Sequence, residues 1–569
     1  MDKCSIIHKS ESIYSFPLDK NHVELRLLTK KSDDISKIEL VYNGKYKFHN
    51  GVHTKEIFKQ YSDELYDYYV EVIELTDLRF AYIFKITDTE GKIYYFSESG
   101  ITDDYDITKG FYDFFQFPYI NDIDLVKPND VIKNRVFYQI FVDRFHKSQD
   151  NTNERINIAW GEKVDGKTIA GGNLKGIVEK IDYLKDLGIN ALYLTPIFES
   201  KTNHKYDTID YYKIAKDFGD ESDLKELINT AHQKDILVVL DGVFNHISID
   251  NELFQDVIRN GNNSKYFKWF FIHGDHLDLT KNNYAKFGEV VSMPRLNLNN
   301  KEVQDYIINI GLHYLNEFKI DGFRLDVSDE IPHRFWIRFK EELQKVKPDF
   351  ILIGENWHNA HAFLNSGYEF DSIMNYSITK EILHFLAWDK LNPTQFKNRI
   401  VSNLMRYKTN VNFNMFNLLS SHDVLRFLTE CGSDVDKFLL GYAFIFMYPG
   451  VPCIYYGDEI AMEGKYDPDS RRCFIWDENK WNKKTISYMK SLIDIHKKYK
   501  INELNYTINV VEDIIILCRT NGATTVNLYI NYSGKDKTFS ASNVLLSNQY
   551  ENNTLKNKGF IITGGRNNE

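Results

Sequence analysis

The sequence predicts an α/β protein built on a (β/α)8 TIM barrel, with a small domain inserted after strand 3, an N-terminal β-sandwich module and a C-terminal β-domain. Three observations predict it. From Val136 onward, short apolar runs alternate with longer amphipathic stretches, the pattern of strand and helix repeating around a parallel sheet. Before residue 123 and after about residue 500, short β-rich segments follow one another with only polar turns between them, as in antiparallel sandwiches. At 569 residues the chain also exceeds what one core normally organises.

Residues 1–122 carry HVELRLLTK (22–30), KIELVYN (37–43), YDYYVEVIEL (66–75) and RFAYIFKITD (79–88), and are assigned to the N-terminal module. The barrel is assigned to 123–500. Its strands are VFYQIFV (136–142), INALYLT (189–195), ILVVLDG (236–242), IDGFRLD (320–326), FILIGE (350–355), DSIMNY (371–376), MFNLLS (415–420) and PCIYYG (452–457). Helices are predicted between them, for instance over 173–188 and 221–235, and a last one around 483–500. The third connection is oversized. Its polar, aromatic-rich stretch, about 247–300, reads as a small excursion beside the functional face. Residues 501–569, with DIIILCRT (513–520) and TTVNLYINYS (524–533), are assigned to a C-terminal β-sandwich domain. The most apolar stretch, 438–456, is interrupted by Gly441, Pro449, Gly450 and Pro452, so it reads as a buried helix followed by a buried strand, not a membrane span.

A formal charge of -11 with no basic run removes the electrostatic footprint of a nucleic-acid binder. The first residues contain no basic segment followed by an apolar stretch. Cys4, Cys431, Cys453, Cys473 and Cys518 lack metal-ligand spacing. Both features predict a cytoplasmic protein with reduced thiols.

Barrel enzymes place their chemistry at the C-terminal ends of the strands. There DGVFNH (241–246) carries Asp241, Asn245 and His246, GFRLD (322–326) carries Arg324 and Asp326, IGENWH (353–358) carries Glu355, and SSHD (420–423) carries His422 and Asp423. Arg324 and Asp326, two apart on a strand, share a face, so the guanidinium should keep the carboxylate ionised as a nucleophile. Glu355, crowded by like charges, should hold a proton as general acid. A nucleophile and a separate proton donor are what a retaining glycosidase needs, with the two carboxyl groups about 5–5.5 Å apart. Asp423, His246 and His422 remain to bind sugar hydroxyls. Singly, an Asp at a strand end is often only a helix cap and an Arg–Asp neighbour only an ion pair. Jointly, four such motifs in chain order point to one site.

These residues resemble the four signature regions of the α-amylase superfamily, and more narrowly the neopullulanase, cyclomaltodextrinase and maltogenic amylase group. The resemblance implies a retaining hydrolase of α-1,4-glucosidic bonds, with α-1,6 bonds as a second target, in maltooligosaccharides, cyclodextrins or pullulan, and transglycosylation as a side reaction. It implies Asp326 as nucleophile, Glu355 as acid/base and Asp423 as transition-state stabiliser, supported by Arg324, His246 and His422. NHKYDTIDYY (203–212) is similar to the segment whose His204 and Tyr206 line the cleaved sugar's subsite. DPDSRR (467–472) resembles the stretch whose Asp467 and Arg471 hold the next sugar, and Trp357 the aromatic that stacks an acceptor sugar. The resemblance further implies a homodimer formed through the N-terminal module.

Two departures stand out. Ser328-Asp329-Glu330 replaces the usual Ala-Asn-Glu, which bears on the acceptor side. The loop RFHKSQDNTNE (144–154) and GGN (171–173) leave Asp150, Asn151, Asn153 and Asn173 where the family binds calcium, so only a weak calcium site is expected, and the chemistry itself requires no cofactor. Two alternatives stay open: a glucan transferase or sucrose/maltose isomerase on the same framework, and a non-catalytic glucan-binding protein.

Overall fold

A computed structural model describes residues 1–566. Eight parallel strands form the central sheet: β1 (Phe137–Ile140), β2 (Ala191–Leu194), β3 (Leu237–Gly242), β4 (Gly322–Leu325), β5 (Ile351–Gly354), β6 (Ser372–Ile373), β7 (Phe416–Asn417) and β8 (Val451–Tyr455). They pair in the order β6-β5-β4-β3-β2-β1-β8-β7, and a parallel bridge between Met374 and Phe416 joins the two ends. The sheet is therefore a closed barrel.

Alternate residues of the strands fill its interior, among them Phe137, Tyr193, Val239, Ile351, Ile353, Phe416, Val451 and Cys453. All eight strands fall where the apolar runs placed them, though β6 and β7 are shorter than predicted. At β6 the cause is local. Asn375 accepts the Ile378 N–H and caps the helix Tyr376–Ile382, which ends the strand. The apolar stretch 438–456 is the buried end of the helix Val435–Met447 running into β8, and no helix among the described residues is long and apolar enough to cross a membrane.

The third connection carries the helix Glu252–Asn260 and a hairpin of Lys286–Phe287 with Val290–Pro294. The hairpin leans over the C-terminal ends of the strands, so its Phe287, Val290 and Met293 reach the mouth of the barrel.

Ahead of the barrel lie two antiparallel sheets. Their facing residues, including Val23, Leu25, Leu27, Leu40, Phe84 and Ile86, bury one another. Arg26 fixes this module to the barrel: its guanidinium donates to the carbonyls of Met405 and Tyr407 and to the Thr409 hydroxyl, while Glu24 neutralises it at 2.7 Å. After the helix Lys483–Lys498, six strands between Asn505 and Arg566 form one antiparallel sheet and not the predicted two-sheet sandwich, because its apolar face is covered by the helix Val435–Met447 in place of a second sheet.

Candidate active site

The eight strand ends converge on a cavity of about 490 Å³. Asp326, Glu355, Asp423, His246, His204, Tyr206, Trp357, Asp467 and Arg471, which are far apart in sequence, all line it. The remaining two predicted residues, Arg324 and His422, are buried directly beneath.

Arg324 organises the floor. One of its guanidinium nitrogens donates to both Asp241 oxygens at 3.0 Å and to Asp326 Oδ1 at 2.9 Å, and the other is in ion contact with Glu355 Oε1 at 2.9 Å. Three acids thus share one cation. Burial first, and then the charge of Glu355, push Asp326 well above the usual carboxylate range, and the same two causes push Asp423 up to about 7. The sequence predicts a fully ionised group at Asp326, and the structure differs there because burial and the charge of Glu355 outweigh Arg324, whose single cation is shared with Asp241 and Glu355.

Glu355 is aimed by backbone geometry. Val327 has a φ of +49°, a left-handed conformation costly for a β-branched residue, and its N–H donates to Glu355 Oε2 at 2.9 Å. Trp357 Nε1 donates to the other oxygen at 3.2 Å, and its ring stacks on Tyr376 at 3.9 Å and 4°. The flat indole is held at the cavity's edge, 37 % exposed.

The histidines are neutral donors. Burial lowers His246 to about 3 and His422 well below its ordinary value. Gln139 donates to His422 Nδ1 at 2.7 Å, which leaves the proton on Nε2, facing Asp423 Oδ2 at 3.2 Å and the Tyr206 hydroxyl. His246 stacks on Phe287 at 4.7 Å, and its Nε2 has no partner among the described residues, so it is available to a ligand. Tyr206 donates to Asp241 at 2.9 Å and lies parallel to the His422 ring. Arg471 is 10 % exposed, pairs with Asp467 at 3.1 Å, and reaches Asp423 at 3.6 Å. It belongs to the cavity wall and not to the outer surface.

Sequence reasoning missed several of these groups. Tyr193 donates to Asp241 at 2.6 Å, and Gln139 sets the His422 tautomer. Both occupy interior positions on β2 and β1, and polar residues in apolar strands were the available signal. Phe287 and Tyr376 gave none, since each is brought in by tertiary packing.

The proposed calcium ligands do not assemble into a metal site. Asn151 Oδ1 accepts the Asn153 N–H, Asn153 Oδ1 accepts the Arg155 N–H, and Asn173 Oδ1 accepts from Ser148 and Gly176. Asp150 pairs with Lys175 at 3.1 Å, while nearby Asp217 is held by Arg155 at 2.8 Å and by buried Lys205 at 2.7 Å. Among the described residues no group of three or more His, Cys, Asp or Glu side chains could hold a metal. The oxygens that a hard cation would need are already engaged by the protein's own N–H groups and cations.

Comparison with known proteins gives a consistent result. The family described as "Alpha amylase, catalytic domain" matches residues 139–515, and "Alpha amylase, N-terminal ig-like domain" matches 1–121. The chain is 39% identical over 544 residues to a cyclomaltodextrinase of Thermoanaerobacter pseudethanolicus, covering 94% of each chain. It is 37% identical to an intracellular maltogenic amylase of Bacillus subtilis, covering 88% of this chain and 85% of that one. A solved cyclomaltodextrinase structure superposes with a TM-score of 0.90 at 30% identity, covering 100% of this chain and 98% of that one.

Proposed function

The chain belongs to the α-amylase family, and within it we propose a retaining hydrolase of α-1,4-glucosidic bonds in cyclodextrins, maltooligosaccharides and pullulan, with transfer to sugar acceptors as a side reaction. One observation carries the reading: three acids, Asp241, Asp326 and Glu355, around a single guanidinium on the floor of a cavity walled by His204, His246 and flat aromatic rings. Asp326 attacks the anomeric carbon while Glu355 protonates the departing oxygen. Glu355 then takes a proton from the water, or the acceptor hydroxyl, that releases the sugar. Asp423, His246 and His422 hold hydroxyls of the ring being distorted, and these contacts strengthen as positive charge develops. Tyr206 stacks beneath that ring, Asp467 and Arg471 hold the next sugar, and Trp357 stacks the leaving or accepting one.

Incubation with maltotriose, γ-cyclodextrin, pullulan and sucrose in separate reactions tests the substrate class. The first three should be cleaved, whereas turnover of sucrose alone would favour an isomerase. Retention of Asp326, Glu355 and Asp423 together speaks against a purely glucan-binding protein.

The raised Asp326 also fixes a sign. A nucleophile must be ionised, so the acidic limb of kcat/KM should lie above the ordinary carboxylate range near 4. A pH profile still flat below that value would contradict the burial argument. Trp357→Ala should raise KM for acceptor sugars about fivefold, the scale of a lost stacking contact, and lower kcat/KM for maltotriose as well, since the indole also stacks the leaving sugar and donates to Glu355. Product ratios at high acceptor concentration measure it.

The reading uses no metal, and neither EDTA nor added calcium should move the unfolding temperature. The N-terminal module is read as a dimerisation element, because Tyr46, Phe111 and Tyr112 are exposed aromatics on it. Light scattering of the full chain and of a Phe111→Ser, Tyr112→Ser variant tests that. A cytoplasmic location fits the reduced thiols and the relative named intracellular.

A further inference from the structure

The C-terminal sheet carries a second cavity, of about 310 Å³, that the catalytic reading does not use. Thr525, Asn527 and Tyr529 alternate along the strand Thr524–Asn531 and so share its outer face, while Val526, Leu528 and Ile530 point into the core. Thr563 and Gly565 lie opposite Asn527 and Thr525 on the neighbouring strand, and the segment Phe539–Asn543 forms the rim.

Three features of this wall point to a ligand class. First, none of its eleven lining residues is ionisable as an acid or base near neutrality, although about three would be expected at the chain's 27% charged fraction. Second, the side chains of Asn527, Asn543 and Thr563, of which Asn543 is exposed at the rim, make no hydrogen bond to any described residue, so their donors and acceptors are uncommitted. Third, Tyr529 and Phe539 meet at 4.8 Å and 54° and are only half-buried, which leaves ring surface open beside those amides. Gly565 keeps the floor low, since a Cβ there would meet nothing nearer than the Asn543 amide at 3.7 Å.

An anion would need a cation in the wall, and a metal would need carboxylates. A neutral polyhydroxylated ring needs amides, hydroxyls and an aromatic face. We propose that this cavity is a non-catalytic binding site for a neutral α-glucan chain, holding long substrates to the enzyme away from the cleft. The α-glucan identity of the ligand rests on the function proposed above, while its neutral, polyhydroxylated character rests on the wall itself.

Native gel electrophoresis through embedded glycogen tests it, with Asp326→Asn in every protein so that the polysaccharide stays intact. Tyr529→Ala and, separately, Asn527→Ala should weaken glycogen retardation about fivefold, the scale of one stacking or amide contact. The same two substitutions in the active enzyme should leave kcat/KM for maltotriose unchanged. Retardation equal to that of the parent in both variants would overturn the proposal. Maltotriose turnover in the active enzyme reports separately on the catalytic reading, so the two can fail independently.

Discussion

Asp326→Asn is expected to lower turnover of maltotriose and γ-cyclodextrin by roughly 10⁴-fold or more, the scale of removing a covalent nucleophile. The fold should survive. Arg324 keeps two acidic partners, Asp241 at 3.0 Å and Glu355 at 2.9 Å, so no cation is left unpaired. The substitution also removes a carboxylate that burial and the charge of Glu355 both disfavour, so the unfolding temperature should stay level or rise. Calorimetry and a progress curve on the same preparation check both halves. Near-parental turnover would displace Asp326 from its role, and a collapsed unfolding temperature would mean that the cluster is structural.

Glu355→Gln should cost 10²–10⁴-fold with the same natural substrates, because an alkoxide leaving group then departs unprotonated. An aryl α-maltoside whose phenolate leaves without a proton should be hit far less in its first step. The difference between the two substrates is the signature of a general acid. Equal losses on both would indicate that the Glu355 side chain acts through Arg324 and Trp357, which it contacts at 2.9 and 3.2 Å, and not through its proton. Asp423, whose carboxyl burial raises to about 7, is like Asp326 a cavity acid pushed toward holding a proton. Glu355→Gln with the two leaving groups therefore also separates Glu355 from Asp423 as the donor.

The barrel was legible in the sequence because each of its strands is an apolar run bounded by a turn, and a strand end is a fixed place in such a barrel. That rule alone brought Asp326, Glu355 and Asp423 to one mouth. What the rule cannot carry is distance across the mouth. The spacing pairs Arg324 with Asp326, yet its contacts with Asp241 and Glu355 come from neighbouring strands and divide one cation among three acids. Phe287 reaches His246 only because a hairpin folds back over the strand ends, and Tyr376 supports Trp357 from a helix that cuts β6 short. The loop over 144–154 and Asn173 differ in kind: their amides read as candidate ligands in sequence, but the oxygens of Asn151, Asn153 and Asn173 accept backbone N–H groups only two or three residues further along the chain, the local turn and cap contacts typical of Asn.

The configuration of the first-formed product is the most direct test of the mechanism. Proton NMR of γ-cyclodextrin opening, recorded before mutarotation, reads the anomer of the new reducing end. Attack by one buried acid followed by displacement with water predicts the α-anomer at the earliest times. A β-anomer appearing first would mean a single displacement by water, and no covalent role for Asp326.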